Sequence, residues 1–160
     1  TGDAADIRAD IRAAINAFVT ANNPLSSGVW IMRAATAVSL SLLYNALGAK
    51  EFPGIGMNGG TLEGMPVIVS EHVPSVSAGD YVVLVNADDI YYGDTGDVRV
   101  DTSEHASVEV SDDPANESGT VRHAFQENLV WFRAERRLDW ARRRSTGVVV
   151  ISAVNWGEAT

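Results

Sequence analysis

The chain has 160 residues, 46% of them apolar, which suits one domain with a sizeable core. It contains no cysteine, which excludes a disulfide framework and a thiolate metal site. A formal charge of −9 disfavours nucleic-acid binding by the isolated chain, because that requires a dominant basic surface. No secretory leader and no apolar run near bilayer length can be read, so a membrane is not an expected partner. The chain opens on Thr-Gly-Asp rather than a start methionine, and is expected to be a fragment or processed product.

Asp6–Asn22 reads as an amphipathic helix, with Ile7, Ile11, Ile15, Phe18 and Val19 at helical spacing and Asp3 or Asp6 able to cap its start. Asn22-Asn23-Pro24 ends it, since proline lacks an amide donor and restricts the residue before it. Gly28–Met32 is a short apolar strand. Ala34–Leu47 is expected to be a second helix burying Val38, Leu42, Leu43 and Leu47, with Gly48 as its C-terminal cap. Glu51–Gly64 is glycine-rich and expected as a loop, and Met65–Ser70 is a fully apolar, central strand. After a turn over Ser75–Asp80, Tyr81–Val85 forms another strand. Ile90–Tyr92, Asp97–Val100 and Ser107–Val110 are short strands joined by Gly-Asp turns, expected as a meander. Ser111–Thr120 (SDDPANESGT) is a polar linker and the one convincing boundary. The order of helix, strand and helix points to a layered core.

Phe125–Arg144 (FQENLVWFRAERRLDWARRR) carries the densest pattern. At period 2, Val130, Phe132, Ala134, Leu138 and Trp140 fall on one side, and Trp131, Arg133, Glu135, Arg137 and Asp139 on the other. That predicts one long strand with a packed face and a charged face. On this pattern Trp140 belongs to the core, and Trp131 on the mixed face is the better candidate for a subunit contact. Gly147–Trp156 follows as a further strand. Charge is segregated: residues 86–117 hold ten of the twenty-one acids and one base, while 121–144 hold seven arginines and three acids. Two such segments either form complementary contacts between subunits or are simply two solvated faces.

Catalytic and ligand patterns are weak. The loop Gly54–Gly64 has neither phosphate-binding glycine signature. His72, His105 and His123 lie apart, with no metal-ligand spacing. Asp88, Asp89, Asp94, Asp97 and Asp101 offer oxygen ligands to a hard cation, but without EF-hand spacing; turn-forming aspartates at a subunit edge explain them more simply. Ser27, Ser70 and Ser145 sit in no nucleophile elbow. Glu127, Glu135 and Asp139 have arginine neighbours that keep carboxylates ionised rather than poised as acids. No enzyme, cofactor or metal is expected.

Four blocks in order carry a family resemblance: PLSSGVWIMRAATAVSLSLL, FPG…NGGTLEGMPVIVS, GDYVVLVNADDIYYGDTGDVRVDTSEHASV and FQENLVWFRAERRLDWARR. Together they cover nearly the whole chain, which resembles the C-terminal portion of a tailed-bacteriophage major capsid protein. The resemblance implies an α+β fold, with a mixed sheet flanked by helices as the axial domain and a long strand from the peripheral domain. Residues 1–120 would be the axial core, 121–144 the peripheral strand and 145–160 a strand returning to the axial sheet. The N-terminal arm, extended loop and spine helix would lie upstream of Thr1.

The implied function is that of a structural subunit of an icosahedral phage or prophage capsid. Its copies would form hexamers and pentamers that enclose the genome, with scaffold and portal proteins as further partners and packaged DNA only an indirect one. The virion is the implied location, with assembly in the bacterial cytoplasm. Trp131, Arg133, Glu135, Arg136, Arg137, Asp139, Asp94 and Asp97 are the candidate interface residues. Some family members weld subunits through a lysine and an asparagine assisted by a glutamate. Asn128 and Glu135 fall at the last two positions, but strand geometry sets them about 23 Å apart on opposite faces, and the bland reading is a strand-start residue and a salt-bridge partner. Two alternatives stay open: an encapsulin-like shell subunit, and a small acidic cation-binding module.

Overall fold

The computed structural model describes residues 2–111 and 119–156. Contacts divide the chain into two compact units, one formed by Thr1–Tyr91 with Trp140–Thr160 and the other by Tyr92–Asp139. The expected linker Ser111–Thr120 falls mostly outside the described residues.

The first unit is a two-layer α+β structure. Helix α1 (Ala4–Thr20) buries Ile7, Ile11, Ala14 and Phe18 along one stripe. It stops where Asn22 takes a left-handed conformation at φ 52° and the Asn23 amide bonds back to the Phe18 carbonyl. Val19, expected on the buried stripe, is exposed. Strand β1 (Gly28–Met32) follows, then helix α2 (Ala34–Ser41), which is shorter than its sequence predicts. The Asn45 side chain accepts the amides of Leu47 and Ala49, and Gly48 adopts φ 75° within that turn. A local polar group thus competes for the amides a longer helix would use. Gly48 shapes the turn rather than capping the helix. Thr36, Ala37, Leu40 and Ser41 are the buried α2 residues, while Leu42 and Leu47 are exposed.

The expected glycine loop contains a small hairpin, β2 (Ile55–Gly56) with β3 (Gly59–Leu62). Gly60 sits at φ 138°, and a Cβ there would lie 2.1 Å from the Gly54 carbonyl oxygen, so only glycine lets the two backbones approach. The remaining strands of the unit are β4 (Met65–Val69), β5 (Ser75–Val76) and β6 (Gly79–Asn86). A later strand returns from Val148–Val154 to complete the sheet. The hydrogen-bonded order is that returning strand, β6, β1, β4, β3, β2, with β5 beside β6. The pair β1–β4 is parallel and the others antiparallel, so the sheet is mixed. One core lies between sheet and helices, centred on Trp30, Phe18, Met32, Leu40, Val82 and Leu84.

In the second part of the chain, β7 (Ile90–Asp94), β8 (Arg99–Ser103) and β9 (Ser107–Val110) come first. β10 (Thr120–His123), helix α3 (Ala124–Glu127), β11 (Trp131–Glu135) and β12 (Leu138–Arg142) return, and the last strand of the first unit, Val148–Val154, becomes β13. The expected meander is not formed. β9 pairs with β10, β8 with β11 and β7 with β12, giving an interrupted two-stranded ribbon. Opposite charge supports the β8–β11 pair, where Asp101 stands directly across from Arg133 and Arg99 across from Glu135. The predicted single long strand is broken too. Asn128 is left-handed at φ 52°, and Arg136-Arg137 separate β11 from β12.

Candidate functional site

Two features of the chain stand out. The first is the ribbon of the second unit. Cross-strand register places Thr102 opposite Phe132 and Val100 opposite Ala134 on one face, and Asp101 opposite Arg133 and Arg99 opposite Glu135 on the other. The period-2 sorting into an apolar and a charged face therefore holds across β8 and β11. The prediction that the apolar face is packed does not. Phe132 is 73% exposed, and Val98, Val100 and Val130 are about half exposed, because a two-stranded ribbon has no second layer of its own. Trp140, expected in the core, is 72% exposed, while Trp131 is half-buried beside Ser103 on the charged face, its Nε1 enclosed without a hydrogen-bond partner.

The charged face is internally neutralised. Arg133 donates to Asp101 at 2.8 Å, and Arg99 donates to the same carboxylate at 3.2 Å. Glu135 accepts from Arg137 at 2.9 Å and lies 3.9 Å from Arg133. At the break between β11 and β12, Arg136 grips Asp94 with two nitrogens while the Thr95 amide bonds the Arg137 carbonyl at 3.2 Å. The Arg136 guanidinium, helped by the Gly96 amide, holds the Asp94 carboxyl below its ordinary value, and Arg133 does the same for Asp101. The acidic outgoing strands and the arginine-rich return thus meet within one chain. Asp97 sits with Thr95, Arg99, Glu135 and Arg137 around a shallow cleft, and Asp139 lies in β12.

Asn128 lies in the turn after α3, outside β11, so the 23 Å strand separation from Glu135 has no basis beyond Trp131. Glu135 is bridged by arginine rather than held in an apolar setting.

The second feature is a buried polar knot in the first unit, which no sequence pattern announces. Asp89, 2% exposed, receives the Asn23 amide at 2.5 Å and the Asn86 amide at 3.1 Å on one carboxylate oxygen. Arg144 lies 3.6 Å from the other oxygen and also donates to the Asn23 carbonyl oxygen at 3.1 Å. The Arg143 amide bonds the Asp89 carbonyl at 2.7 Å. Asp89 immediately precedes β7 and Arg143 immediately follows β12, so the knot clamps the points where the chain leaves and re-enters this unit.

A further concavity, about 320 Å³, is lined by Arg33, Thr36, Ser75, Asp80 and Trp156 among others, but its charges are committed to one another. Arg33 pairs with Glu71 at 3.0 Å and Asp80 at 3.5 Å, and the Thr36 hydroxyl donates to Asp80 at 2.9 Å. Among the described residues no group of three or more His, Asp or Glu converges on a metal position. The aspartate run is dispersed: Asp88 accepts two serine hydroxyls, Asp89 lies in the knot, and Asp94 and Asp101 are held by arginine. His123 bonds the Ser107 hydroxyl and His105 lies against Phe125.

Comparison with known proteins places this architecture. The sequence model of the phage capsid family matches residues 1–153. A capsid polyprotein of Pseudomonas phage PAJU2 is 55% identical over 157 residues, covering 96% of this chain and 24% of the relative. The chain therefore spans about a quarter of the curated relative it matches. A solved structure from Mycobacterium phage Che8 superposes with a TM-score of 0.60 at 18% identity, over 96% of this chain and 50% of that one. Another, from Gordonia phage Cozz, gives 0.56 at 18% identity, over 88% and 43%. At such identities these two report a shared fold.

Proposed function

Because the chain belongs to the phage capsid family, we propose that it is the shell-building part of a phage or prophage capsid subunit, a structural protein and not an enzyme. The observation that carries the reading is the family match over residues 1–153, in a chain whose ribbon pairs charged groups internally and leaves apolar side chains exposed. The helix-and-sheet unit acts as the axial domain, clustered around a capsomer axis. The ribbon, including residues 121–139, acts as the peripheral element that reaches neighbouring capsomers.

Copies of the chain are its principal partners. Head-to-tail contacts that close into hexamers and pentamers require two different complementary surfaces on each subunit. The exposed Phe132 face of the ribbon is the surface offered to a neighbouring capsomer, since a contiguous apolar patch on an otherwise charged element marks an interaction site. Trp131, Arg133, Glu135, Arg136, Arg137, Asp139, Asp94 and Asp97 form its polar side and rim. Scaffold and portal proteins are further partners, and DNA is enclosed without direct recognition. Assembly takes place in the bacterial cytoplasm, and the product resides in the virion.

The test is negative-stain electron microscopy of the polypeptide that carries this chain, expressed with its natural flanking sequence and with scaffold where one exists. Closed shells or capsomer rings are expected. Uniform small particles under both conditions would overturn the reading. The arginine-bridged Glu135 further predicts that mature shells run as single-chain bands on a denaturing gel. A ladder of covalent multimers would reinstate the Asn128 and Glu135 weld.

A further inference from the structure

The sheet of the first unit has two faces, and its own helices cover one. Trp30, Val67, Leu84 and Val149 share a register line on the inner face and pack with α1 and α2 in the core. The residues that alternate with them point the other way. Val148 of β13 stands opposite Val85 of β6, which stands opposite Val29 of β1, and the register continues to Pro66 of β4. One pleat further on, Val150, Val83, Ile31 and Ile68 form a second line across the same four strands.

The result is a grid of two rows by four columns, with no charged or hydrogen-bonding side chain in it. None of its members belongs to the buried core, and Ile68 and Val150 at its two ends are 52% and 53% exposed. Strand spacing near 4.8 Å and a two-residue repeat near 6.8 Å give the grid a flat area of roughly 250 Å². A stable interface buries about 800 Å² per partner. The grid therefore has the size of an interface's dry centre, with a polar rim still to be supplied.

The same unit presents a second apolar surface on its helix side. The turn after α2 exposes Leu42, Tyr44 and Leu47 at 60%, 55% and 93%. It is rigidly built: Tyr44 bridges to Lys50, and the Asn45 side chain ties the amides of Leu47 and Ala49. Leu43 and Phe52, within and after this turn, pack into the helix-side core, so the turn and the grid lie on opposite sides of the sheet.

We propose that the outer aliphatic face of this sheet is the seat of a neighbouring copy of the chain, which docks helix side against sheet side with its Leu42–Leu47 turn supplying apolar contact. The inference rests on the reading of the chain as a self-assembling shell subunit. Two unlike apolar surfaces on opposite sides of one body make a heterologous contact, the kind that closes into rings. A face-to-face pairing of two grids would instead stop at a dimer.

These 160 residues contain no cysteine, so a thiol introduced here has no competitor within them, and the parent polypeptide serves as the labelling blank. Ile68→Cys, Val150→Cys and Leu47→Cys are introduced singly into the full polypeptide, and maleimide labelling rates are compared in unassembled protein and in shells or capsomer rings. All three thiols are expected to react freely before assembly and about tenfold more slowly after it, as reagent access is lost. The double variant I68E/V150E is expected to keep its circular dichroism spectrum and yield no shells, while I68V/V150A assembles. Equal labelling in shells, or normal shells from the glutamate variant, would overturn the proposal. So would protection already present in unassembled chains, which would mean that another segment of the same polypeptide covers the grid. Wild-type protein that forms no assembly would sink the capsid reading itself, whereas shells with an open grid sink only this inference.

Discussion

Replacing Asp89 by alanine removes the acceptor at the centre of the polar knot, and its cost can be worked from the geometry. One carboxylate oxygen serves two amide donors, Asn23 and Asn86, inside a site where Asp89 is 2% exposed. A buried donor left without its partner costs about 1–3 kcal/mol. Neither amide is wholly stranded, since Asn23 also reaches the Thr146 carbonyl at 3.4 Å and Asn86 the Pro24 carbonyl at 3.2 Å. Arg144 is partly exposed and can turn to water. The two amides then lose about half of their full penalty each, and the sum is about 2 kcal/mol. For a chain of this length that corresponds to a fall in Tm of about 4–8 °C.

Asp89→Asn separates the contributions, because its single carbonyl can still accept both amides while its NH2 faces Arg144. It should cost about 1 kcal/mol, well short of the alanine variant. Thermal and urea unfolding followed by circular dichroism measures both. An alanine variant within about 0.5 kcal/mol of wild type would show that the knot contributes nothing net to stability. An asparagine variant as damaged as the alanine would assign the effect to the Arg144 charge pair.

Gly60→Ala should destabilise by about 2–3 kcal/mol, since it puts a Cβ on the Gly54 carbonyl oxygen at a positive φ; unchanged unfolding would contradict the hairpin assignment. Phe132→Ser should change the stability of the isolated chain by less than about 0.5 kcal/mol, whereas a packed Phe132 would cost about 3 kcal/mol or more, so one denaturation curve distinguishes the two faces. Asp94 and Asp101 have folded values depressed below 3.8 by arginine, so the stabilisation they provide is complete above 3.8 and is lost as pH falls through those lower values. Trp131 emission, taken as the difference between the wild-type chain and Trp131→Phe through an acid titration, should therefore hold steady down to 3.8. Loss of the ribbon signal well above that value would show that other groups control it.

What the sequence determined by itself is local and periodic. Ile7, Ile11 and Phe18 fix a helix stripe, Gly28–Met32 reads as a strand from composition alone, and the alternation from Val130 to Glu135 sorts the ribbon's two faces. The four ordered blocks gave the family, because block order survives where single motifs are uninformative. Periodicity assigns a residue to a face but does not say what covers that face. Phe132 and Trp140 have the pattern of core residues, yet the ribbon supplies no layer above them, and Trp131 on the charged side is the better buried.

Partners distant in sequence were also beyond reach. Asn23, Asn86, Asp89 and Arg144 meet only because the chain leaves and re-enters one unit at a single place, and no spacing in the sequence links the four. The outgoing strands resembled a meander because short strands with turns between them usually pair with their neighbours. Opposite charge favours the observed pairing, with Asp94 and Asp101 meeting arginines of the return strand rather than each other. Which face of the sheet stays open depended on where both helices pack, a property of the assembled layers that no single segment encodes.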